Sequence, residues 1–240
     1  MENVTVKRND IWMIQTNTGI KPHLIVSNNV GNEFSPVLLA VLLKKGVAQE
    51  PTHMQIGKYV AMFEQMTTYS KQRLDVKIGE NDVDFTPFAH NAMSPYYQGV
   101  KKMRAVSPIQ TINWGDFYFL DFTKTKGCEQ GGTRLVMVCS NAEQNKKGKV
   151  LVIPATSRKK RGIPTHVNIP SEIGIREDSV LLVEQMKEVS VDEFFGRPRI
   201  TVLPKYYYNP IVLATKIAVS GDINETIREN QENKVFVESM

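Results

Sequence analysis

The sequence contains one ordered pattern of short motifs twice. The first set reads Ile25-Val26-Ser27-Asn28, then Pro51-Thr52-His53-Met54-Gln55-Ile56, then Glu64-Gln65-Met66. The second set reads Val138-Cys139-Ser140-Asn141, then Pro164-Thr165-His166-Val167-Asn168-Ile169, then Glu184-Gln185-Met186. A repeat of this kind predicts two domains of one fold, and a chain of 240 residues is long enough for both.

The two copies differ in one loop. Ser27 and Ser140 are 113 positions apart, as are Thr52 and Thr165, and we therefore expect no gap between these motifs. Asp10 and Asp116 are only 106 positions apart, so the first copy lacks seven residues before Ser27. The missing stretch corresponds to the polar, glycine-rich region of residues 127–132. The pattern indicates two domains of the same fold, of which only the second has a functional site.

Short apolar runs separated by turn residues predict a β-rich fold with small barrels. The predicted strands are residues 10–14, 23–26, 37–43, 53–56 and 59–63 in the first copy, and 116–122, 135–139, 150–153, 165–169 and 179–183 in the second. Helical spacing follows in residues 86–106 and 204–219, with the second helix beginning near Pro210. We expect domains at 1–106 (copy one) and 113–221 (copy two), a linker at 107–112, and a polar tail at 222–240.

Composition excludes few classes of protein. An apolar content of 41% favours globular cores, and a net charge of +5 is compatible with a polyanionic partner. The chain has no run of eighteen apolar residues and no signal-peptide pattern, and we therefore predict a cytoplasmic protein without a membrane span. The two cysteines, Cys128 and Cys139, support neither a disulfide framework nor a tetrahedral metal site.

Candidate phosphate-binding groups cluster in copy two. The loop Glu129-Gln130-Gly131-Gly132-Thr133-Arg134 has paired glycines, which permit positive φ and close backbone approach to a ligand. Arg134 begins the next strand, and its planar, permanently charged fork suits phosphate. Its counterpart in copy one is Lys21, which keeps the charge without the fork.

The third strand of copy two ends at Thr156, whose hydroxyl suits a phosphate oxygen. Its ungapped counterpart is Leu43, with Lys44 next, and neither offers a hydroxyl. The cations Arg158, Lys159, Lys160 and Arg161 follow shortly after Thr156; such a run is either a solvated loop or a contact to a phosphate backbone. His53 and His166 recur in both copies, including the copy without the loop, and we therefore interpret them as structural.

Together these motifs resemble the MazF/PemK family of toxin endoribonucleases, arranged in tandem with a degenerate first copy. The family pattern is matched by Gly115-Asp116, Glu129 to Arg134, Thr156, Pro164 to Val167, and Glu184-Gln185-Met186-Lys187. Leu135 departs from it, since the family usually has Pro there. The resemblance covers nearly all of copy two and residues 9–73 of copy one.

The resemblance implies a mainly β fold with C-terminal helices (α+β), built from two SH3-like barrels of the CcdB/PemK type. It implies cleavage of single-stranded RNA without metal or other cofactor, by attack of the 2′-OH on the adjacent phosphate. Arg134 and Thr156 would act on the phosphate, and Glu129 as base or as a positioner of Arg134. The expected RNA contacts are Gln130, Gly131, Gly132, Ser157, Arg158, Lys159, Lys160, Arg161, Gln185, Lys21 and Lys44.

The family normally forms homodimers, and we therefore expect copy one to replace the second subunit in a pseudo-dimer that is monomeric as a chain. The resemblance also implies a cognate antitoxin as partner. Two rival functions stay open at this point: a non-catalytic binding toxin of the gyrase-poison type, and an inhibited or regulatory form of the enzyme.

Overall fold

The computed structural model describes residues 5–93, 111–122, 127, 129, 131–158 and 163–219. Copy one consists of β1 (Asp10–Thr16), β2 (Gly19–Ile25), α1 (Asn29–Phe34), β3 (Val37–Lys45), β4 (His53–Ile56), β5 (Tyr59–Ser70), β6 (Leu74–Glu80) and α2 (Thr86–Met93). Copy two consists of β7 (Asp116–Phe122), β8 (Gly132–Val138), α3 (Ala142–Asn145), β9 (Lys149–Thr156), β10 (His166–Ile169), β11 (Ser179–Leu182), β12 (Lys187–Ser190), β13 (Thr201–Val202) and α4 (Tyr208–Val219).

Each copy forms one antiparallel sheet with the same strand order. In copy one the order is β4-β5-β3-β2-β1-β6, and in copy two it is β10-β11-β9-β8-β7-β13, with β12 also pairing with β9. The predicted mainly β fold with two tandem domains is confirmed. All ten predicted strands are present, two of them with the predicted ends, residues 53–56 and 116–122. The sequence patterns missed β6, β12, β13 and the short helices α1 and α3.

The predicted helix near Pro210 is present as α4, in which Pro210 is the third residue. That position tolerates proline because the first-turn N–H groups have no partner within the helix. The helix predicted at residues 86–106 is described only as far as Met93. Most of the predicted linker, Cys128 and the tail at 222–240 lie outside the described residues.

The central strands β3 and β9 are apolar over residues 37–43 and 150–155 because both of their faces are covered there. One face of each sheet joins a single large cluster shared by the two copies, which includes Leu39, Phe63, Trp114 and Leu151. The opposite faces cover smaller clusters belonging to one copy each, one around Trp12 and the other around Tyr118. The shared core therefore joins the copies through the faces that a single isolated copy would leave uncovered.

The repeated Ser-Asn motif turns the chain between the second and third strands. Asn28 and Asn141 cap the helices α1 and α3, accepting hydrogen bonds from Gly31 N–H at 2.7 Å and Gln144 N–H at 3.0 Å. Ser27 Oγ accepts from Leu39 N–H at 3.1 Å, and Ser140 Oγ accepts from Leu151 N–H at 2.9 Å. The motif is thus a structural device in both copies.

These hydrogen bonds correct the ungapped alignment. Ser27 bonds to Leu39, twelve residues on, whereas Ser140 bonds to Leu151, eleven residues on. The equivalent of Thr156 is therefore Lys44 and not Leu43. Strand pairing agrees, since Lys44 lies opposite Val60 and Thr156 lies opposite Val180. Copy one has one extra residue before β3 and one fewer after it than copy two has around β9. The two differences cancel, and the sequence spacing alone therefore could not show them.

The repeated Thr-His and Glu motifs also contact each other identically in the two copies. In copy one, Thr52 Oγ1 and His53 Nε2 bond to the two oxygens of Glu64 at 2.9 and 3.0 Å. In copy two, the corresponding distances from Thr165 and His166 to Glu184 are 2.9 and 3.1 Å. These contacts support the interpretation of both histidines as structural.

Hydrogen bonds join the copies at several points. Thr68 N–H in β5 donates to Met186 O at 2.8 Å, and Trp114 Nε1 donates to Met93 O at 3.2 Å. The end of α4 returns to copy one, where Asn28 N–H donates to Ala218 O at 3.2 Å and Asn28 Nδ2 donates to Ile217 O at 3.0 Å. The two copies therefore interlock and do not meet through the linker alone.

Candidate active site

The pairing of β8 with β9 brings the two main candidate residues together. Val136 lies opposite Pro154, and Met137 lies opposite Ile153. Because each step moves one residue along each antiparallel strand, two further steps place Arg134 opposite Thr156. The structure therefore places both side chains at the same end of adjacent strands, beside the loop that copy one lacks.

Arg134 is half-buried, and its Nε donates a hydrogen bond to Gly131 O at 2.8 Å. This bond fixes the base of the guanidinium against the loop. Within the described part of the chain its two terminal nitrogens make no hydrogen bond, so they remain donors for an oxyanion. Two residues before Arg134, Gly132 has φ of +75°, a conformation that glycine permits.

Thr156 is 5% exposed at the end of β9, and its Oγ1 accepts a hydrogen bond from Arg158 N–H at 3.3 Å. The hydroxyl proton is left to be donated to another acceptor. Ser157 and Arg158 follow as exposed residues on the same edge. Gln130, Lys159, Lys160 and Arg161, the other candidates of this edge, lie outside the described residues.

Copy one carries two lysines at the matching positions. His23 lies opposite Leu42, so two further steps place Lys21 opposite Lys44. Lys21 Nζ donates to Thr18 Oγ1 at 2.6 Å, and Lys44 Nζ donates to Gln65 Oε1 at 3.2 Å. The loop between β1 and β2 is two residues long, against nine between β7 and β8, which accounts for the seven missing residues.

A groove of about 620 Å³ lies beside these two lysines and has walls from both copies. Its copy-one wall includes Lys21, His23, Lys44, Gln65, Thr67, Tyr69 and Arg73, and its copy-two wall includes Phe122, Glu129, Lys149, Lys187, Glu188 and Glu193. Lys21 and Lys44 thus line the same groove. Arg134 and Thr156 lie outside the described lining of this groove.

Glu129 is held by copy one. Its Oε1 and Oε2 accept from Arg73 Nε at 2.6 Å and Arg73 Nη2 at 3.2 Å, and Oε1 also accepts from Ser70 N–H at 2.9 Å. The two side chains are only 6% and 8% exposed. The carboxylate predicted to act as base or positioner is therefore a buried ion-pair partner, with both oxygens engaged by donors.

Lys187 lies in the same groove as a buried cation. Its Nζ is 4.3 Å from the centre of the Phe122 ring, a distance within the range of cation–π contacts. Burial lowers the pKa of Lys187 to about 8, and the nearby Glu129 carboxylate opposes that shift. The charge of Lys187 is therefore sensitive to pH in a range where other lysines stay protonated.

Gln185 does not lie in this groove. It is buried, and it lines a separate apolar groove together with Val30 and Phe34 of copy one. Its counterpart Gln65 is the glutamine that lines the groove beside Lys44. The groove beside Lys21 and Lys44 is therefore lined by Gln65, and the role of Gln185 as an RNA contact of copy two stays a prediction.

Sequence reasoning missed Arg73 as a contact of the loop. The offset of 120 between Glu64 and Glu184 places Arg73 at the position of Glu193, so the charge is reversed between the copies. The charge reversal is visible in the sequence, but it does not identify the residue that Arg73 contacts. The partner depends on how the two sheets pack.

Comparison with known proteins gives matches in both copies. The family model described as "PemK-like, MazF-like toxin of type II toxin-antitoxin system" matches residues 7–86 and 113–217. The two segments agree with the tandem arrangement predicted from the repeat. No helix in the described part of the chain is long and apolar enough to cross a membrane.

Two curated relatives carry the name endoribonuclease, in agreement with the predicted class of enzyme. The chain is 37% identical to endoribonuclease EndoA of Bacillus subtilis over 81 residues, which are 32% of this chain and 70% of the relative. It is 38% identical to endoribonuclease MazF of Staphylococcus saprophyticus over 76 residues, 30% of this chain and 63% of the relative. The crystal structure of MazF (Form-I) from Deinococcus radiodurans is 27% identical, with a TM-score of 0.38, over 43% of this chain and 92% of that one.

Proposed function

Because the chain belongs to the family of PemK-like and MazF-like toxins, we propose that it is an endoribonuclease with a single active site, located in copy two. The observation that carries the proposal is the position of Arg134 and Thr156 on the adjacent strands β8 and β9, each two residues beyond the last paired residue, Val136 or Pro154, and beside the loop that copy one lacks. Copy one has lysines at both positions. The two groups suited to a reacting phosphate therefore change together between the copies.

In the proposed reaction the nucleophile belongs to the substrate. The 2′-oxygen attacks the adjacent phosphorus, and the P–O bond to the next 5′-oxygen breaks. The products are a 2′,3′-cyclic phosphate and a 5′-OH, once the 2′-OH proton has left and the departing oxygen has gained one. No metal takes part in this scheme.

Arg134 stabilises the transition state through the donors at its fork. Negative charge develops on the phosphorane oxygens, and preorganised donors stabilise it more than they stabilise the ground state. The bond from Arg134 Nε to Gly131 O fixes the direction of the fork before substrate binds. The hydroxyl of Thr156 donates to a phosphate oxygen and sets the orientation of the phosphate.

Copy one takes the place of a second subunit in an intramolecular pseudo-dimer. The shared core and the bonds between β5 and the segment before β12 resemble an interface between two subunits. The groove beside Lys21 and Lys44 would hold the RNA backbone without cleaving it. A lysine binds phosphate as a point charge but lacks the fork that Arg134 provides.

Substitution of Lys21 or Lys44 by alanine is expected to weaken RNA binding by about 2- to 10-fold while kcat stays near the parent value. Each lysine lost should also reduce the slope of log K against log salt by about 0.7, the value for one phosphate contact in a single strand. Fluorescence titration of a labelled, non-cleavable oligonucleotide at several salt concentrations measures both effects. Lys146→Ala, at an exposed lysine directly after α3, is the matched control. Unchanged affinity in both lysine variants would contradict this role.

RNA affinity is expected to fall as the pH rises through about 8, because Lys187 then loses its proton. The sign follows from its pKa: below about 8 the side chain is a cation that attracts phosphate, and above it the side chain is neutral. A Lys187→Arg variant stays charged throughout, and we expect its affinity to be flat between pH 7 and 9. Titration of the same oligonucleotide across this range is the measurement. A step at pH 8 that persists in the arginine variant would assign the titration to another group.

A cognate antitoxin and a cytoplasmic location belong to the same proposal. The family is described as the toxin of a two-component toxin-antitoxin system, and the proposed substrate is cellular RNA. Copurification of an antitoxin that is co-expressed with the full chain tests the proposed partnership. Nuclease activity that the bound antitoxin suppresses is the expected result.

The decisive experiment for the proposed function is end-mapped cleavage of a long, unstructured RNA by the purified chain in the presence of EDTA. Internal cuts bearing 2′,3′-cyclic phosphate and 5′-OH ends are expected. Ends bearing a 5′-phosphate would contradict the mechanism. Growth arrest by a chain that cuts no RNA would favour a binding toxin instead.

A further inference from the structure

The loop of copy two docks on copy one through two described residues. Glu129 makes its bidentate ion pair with Arg73 and accepts from the Ser70 amide. Gly127 passes so close to the same segment that a Cβ atom there would lie 2.6 Å from Ser70 Oγ and 3.2 Å from Gln72 Oε1. Its φ of +60° also favours glycine. The turn at residues 70–73 therefore forms the docking site of this loop, which we call the seat.

The reverse contact would join a loop of copy one to the turn of copy two that is equivalent to residues 70–73. It is absent from the described structure, and both of its partners differ from those of the contact just described. Copy one has a two-residue turn where Glu129 would have its counterpart. Copy two has Glu193 where copy one has Arg73, and Glu193 is exposed on the groove wall. A glutamate cannot receive the carboxylate of a loop. The contact between the loop of copy two and Arg73 of copy one is therefore present, whereas both partners of the reverse contact are missing.

The seat is connected to Arg134 through the loop backbone. Glu129 is two residues from Gly131, whose carbonyl accepts the hydrogen bond from Arg134 Nε at 2.8 Å. Arg73 therefore holds the loop at a residue two positions before the acceptor that orients the Arg134 guanidinium. A catalytic group misplaced by about 1 Å can cost on the order of 10²-fold in rate, so this support matters for the chemistry.

We propose that Arg73 is a positioning residue for the active site of copy two, acting through Glu129 and the Gly131 carbonyl on Arg134. The inference rests on the proposed function and deepens it. It assigns Glu129 to the docking of the loop and not to proton transfer. It also explains why the catalytic copy needs the degenerate copy beside it, because the arginine seat exists only in copy one.

The test is a double-mutant cycle in the full chain with Arg73→Ala, Glu129→Ala and both changes together. Single-turnover cleavage of an RNA oligonucleotide is measured with its concentration dependence, and circular dichroism checks the fold. We expect each single variant to lower kcat by 10- to 100-fold with less than a 3-fold change in KM. The double variant should be no slower than the slower single variant, because one contact is removed only once.

Arg73→Lys keeps the charge and loses the bidentate geometry, and it should recover part of the rate even if Arg73→Ala unfolds. The matched control removes a second salt bridge that described residues form between the copies, Lys147 to Glu50 at 2.7 Å, which involves neither the loop nor residues 70–73. Glu50→Ala should leave kcat within 2-fold of the parent.

Two results would overturn the positioning role: parental kcat in folded Arg73→Ala, or effects of the single variants that multiply in the double variant. If Arg73→Ala does not fold, parental kcat in Arg73→Lys would also overturn the positioning role. Failure of the parent chain itself to cleave RNA would instead refute the proposed function, and the two failures are therefore distinguishable.

Discussion

A single 2′-deoxynucleotide on the 5′ side of the scissile bond is expected to abolish cleavage at that bond. The proposed nucleophile is the 2′-oxygen of the substrate, and the deoxy sugar has none. The protein then offers no replacement, because the roles proposed for Arg134 and Thr156 are to bind the phosphate and not to act as nucleophiles. The expected loss is complete, larger than the loss from any side-chain substitution.

The measurement is a time course with an end-labelled oligonucleotide of one preferred cleavage sequence, compared with the same oligonucleotide carrying the deoxy sugar. Moving the deoxy sugar three positions away is the control and should leave the rate within about 2-fold, because the nucleophilic 2′-OH beside the scissile bond is then intact. Cutting at the modified bond would show that water is the nucleophile and would refute the mechanism.

Replacement of Arg134 by alanine is expected to lower kcat by about 10²- to 10³-fold, with a much smaller effect on KM. This is the range found when one preorganised donor to a developing oxyanion is removed. The fork of Arg134 is held by the bond from Nε to Gly131 O, so little reorganisation accompanies the reaction in the parent. Arg134→Lys should recover only part of the loss, because it restores charge without two-point geometry.

The contrast with copy one makes this prediction specific. Lys21→Ala changes the equivalent position, and we expect it to act on affinity and leave kcat almost unchanged. If both substitutions reduced kcat equally, the site would be shared between the copies and not confined to copy two. Parental growth arrest by Arg134→Ala, with RNA cleavage lost, would favour the gyrase-poison type of toxin.

Much of the fold followed from local pattern. Apolar runs between turn residues predicted all ten strands of the repeat, and Pro210 indicated where α4 begins. The strands that escaped prediction are exposed or very short. β6 has Val76 and Ile78 exposed on its surface, β12 has Val189 as its one apolar residue, and β13 has two residues. Such strands depend on pairing with a neighbour more than on their own apolar pattern.

The candidate site was predictable in its residue types and not in its contacts. The equivalence of Thr156 with Lys44 depends on two compensating one-residue shifts, which strand pairing shows and spacing hides. The partner of Glu129 depends on the packing of copy two against copy one, because Arg73 is 56 residues away in the chain. Local rules contain no information about a contact of that separation.

The return of α4 to Asn28 has a consequence for the timing of toxicity during translation. The chain emerges from the ribosome with the lysine-bearing half first, and Arg134 follows more than a hundred residues later. The hydrogen bonds from Asn28 to Ile217 and Ala218 form only when the end of α4 has been synthesised. A partly made chain therefore carries the half that would bind RNA without cutting it. These contacts between the two copies are therefore among the last to form, since they need residues 217 and 218.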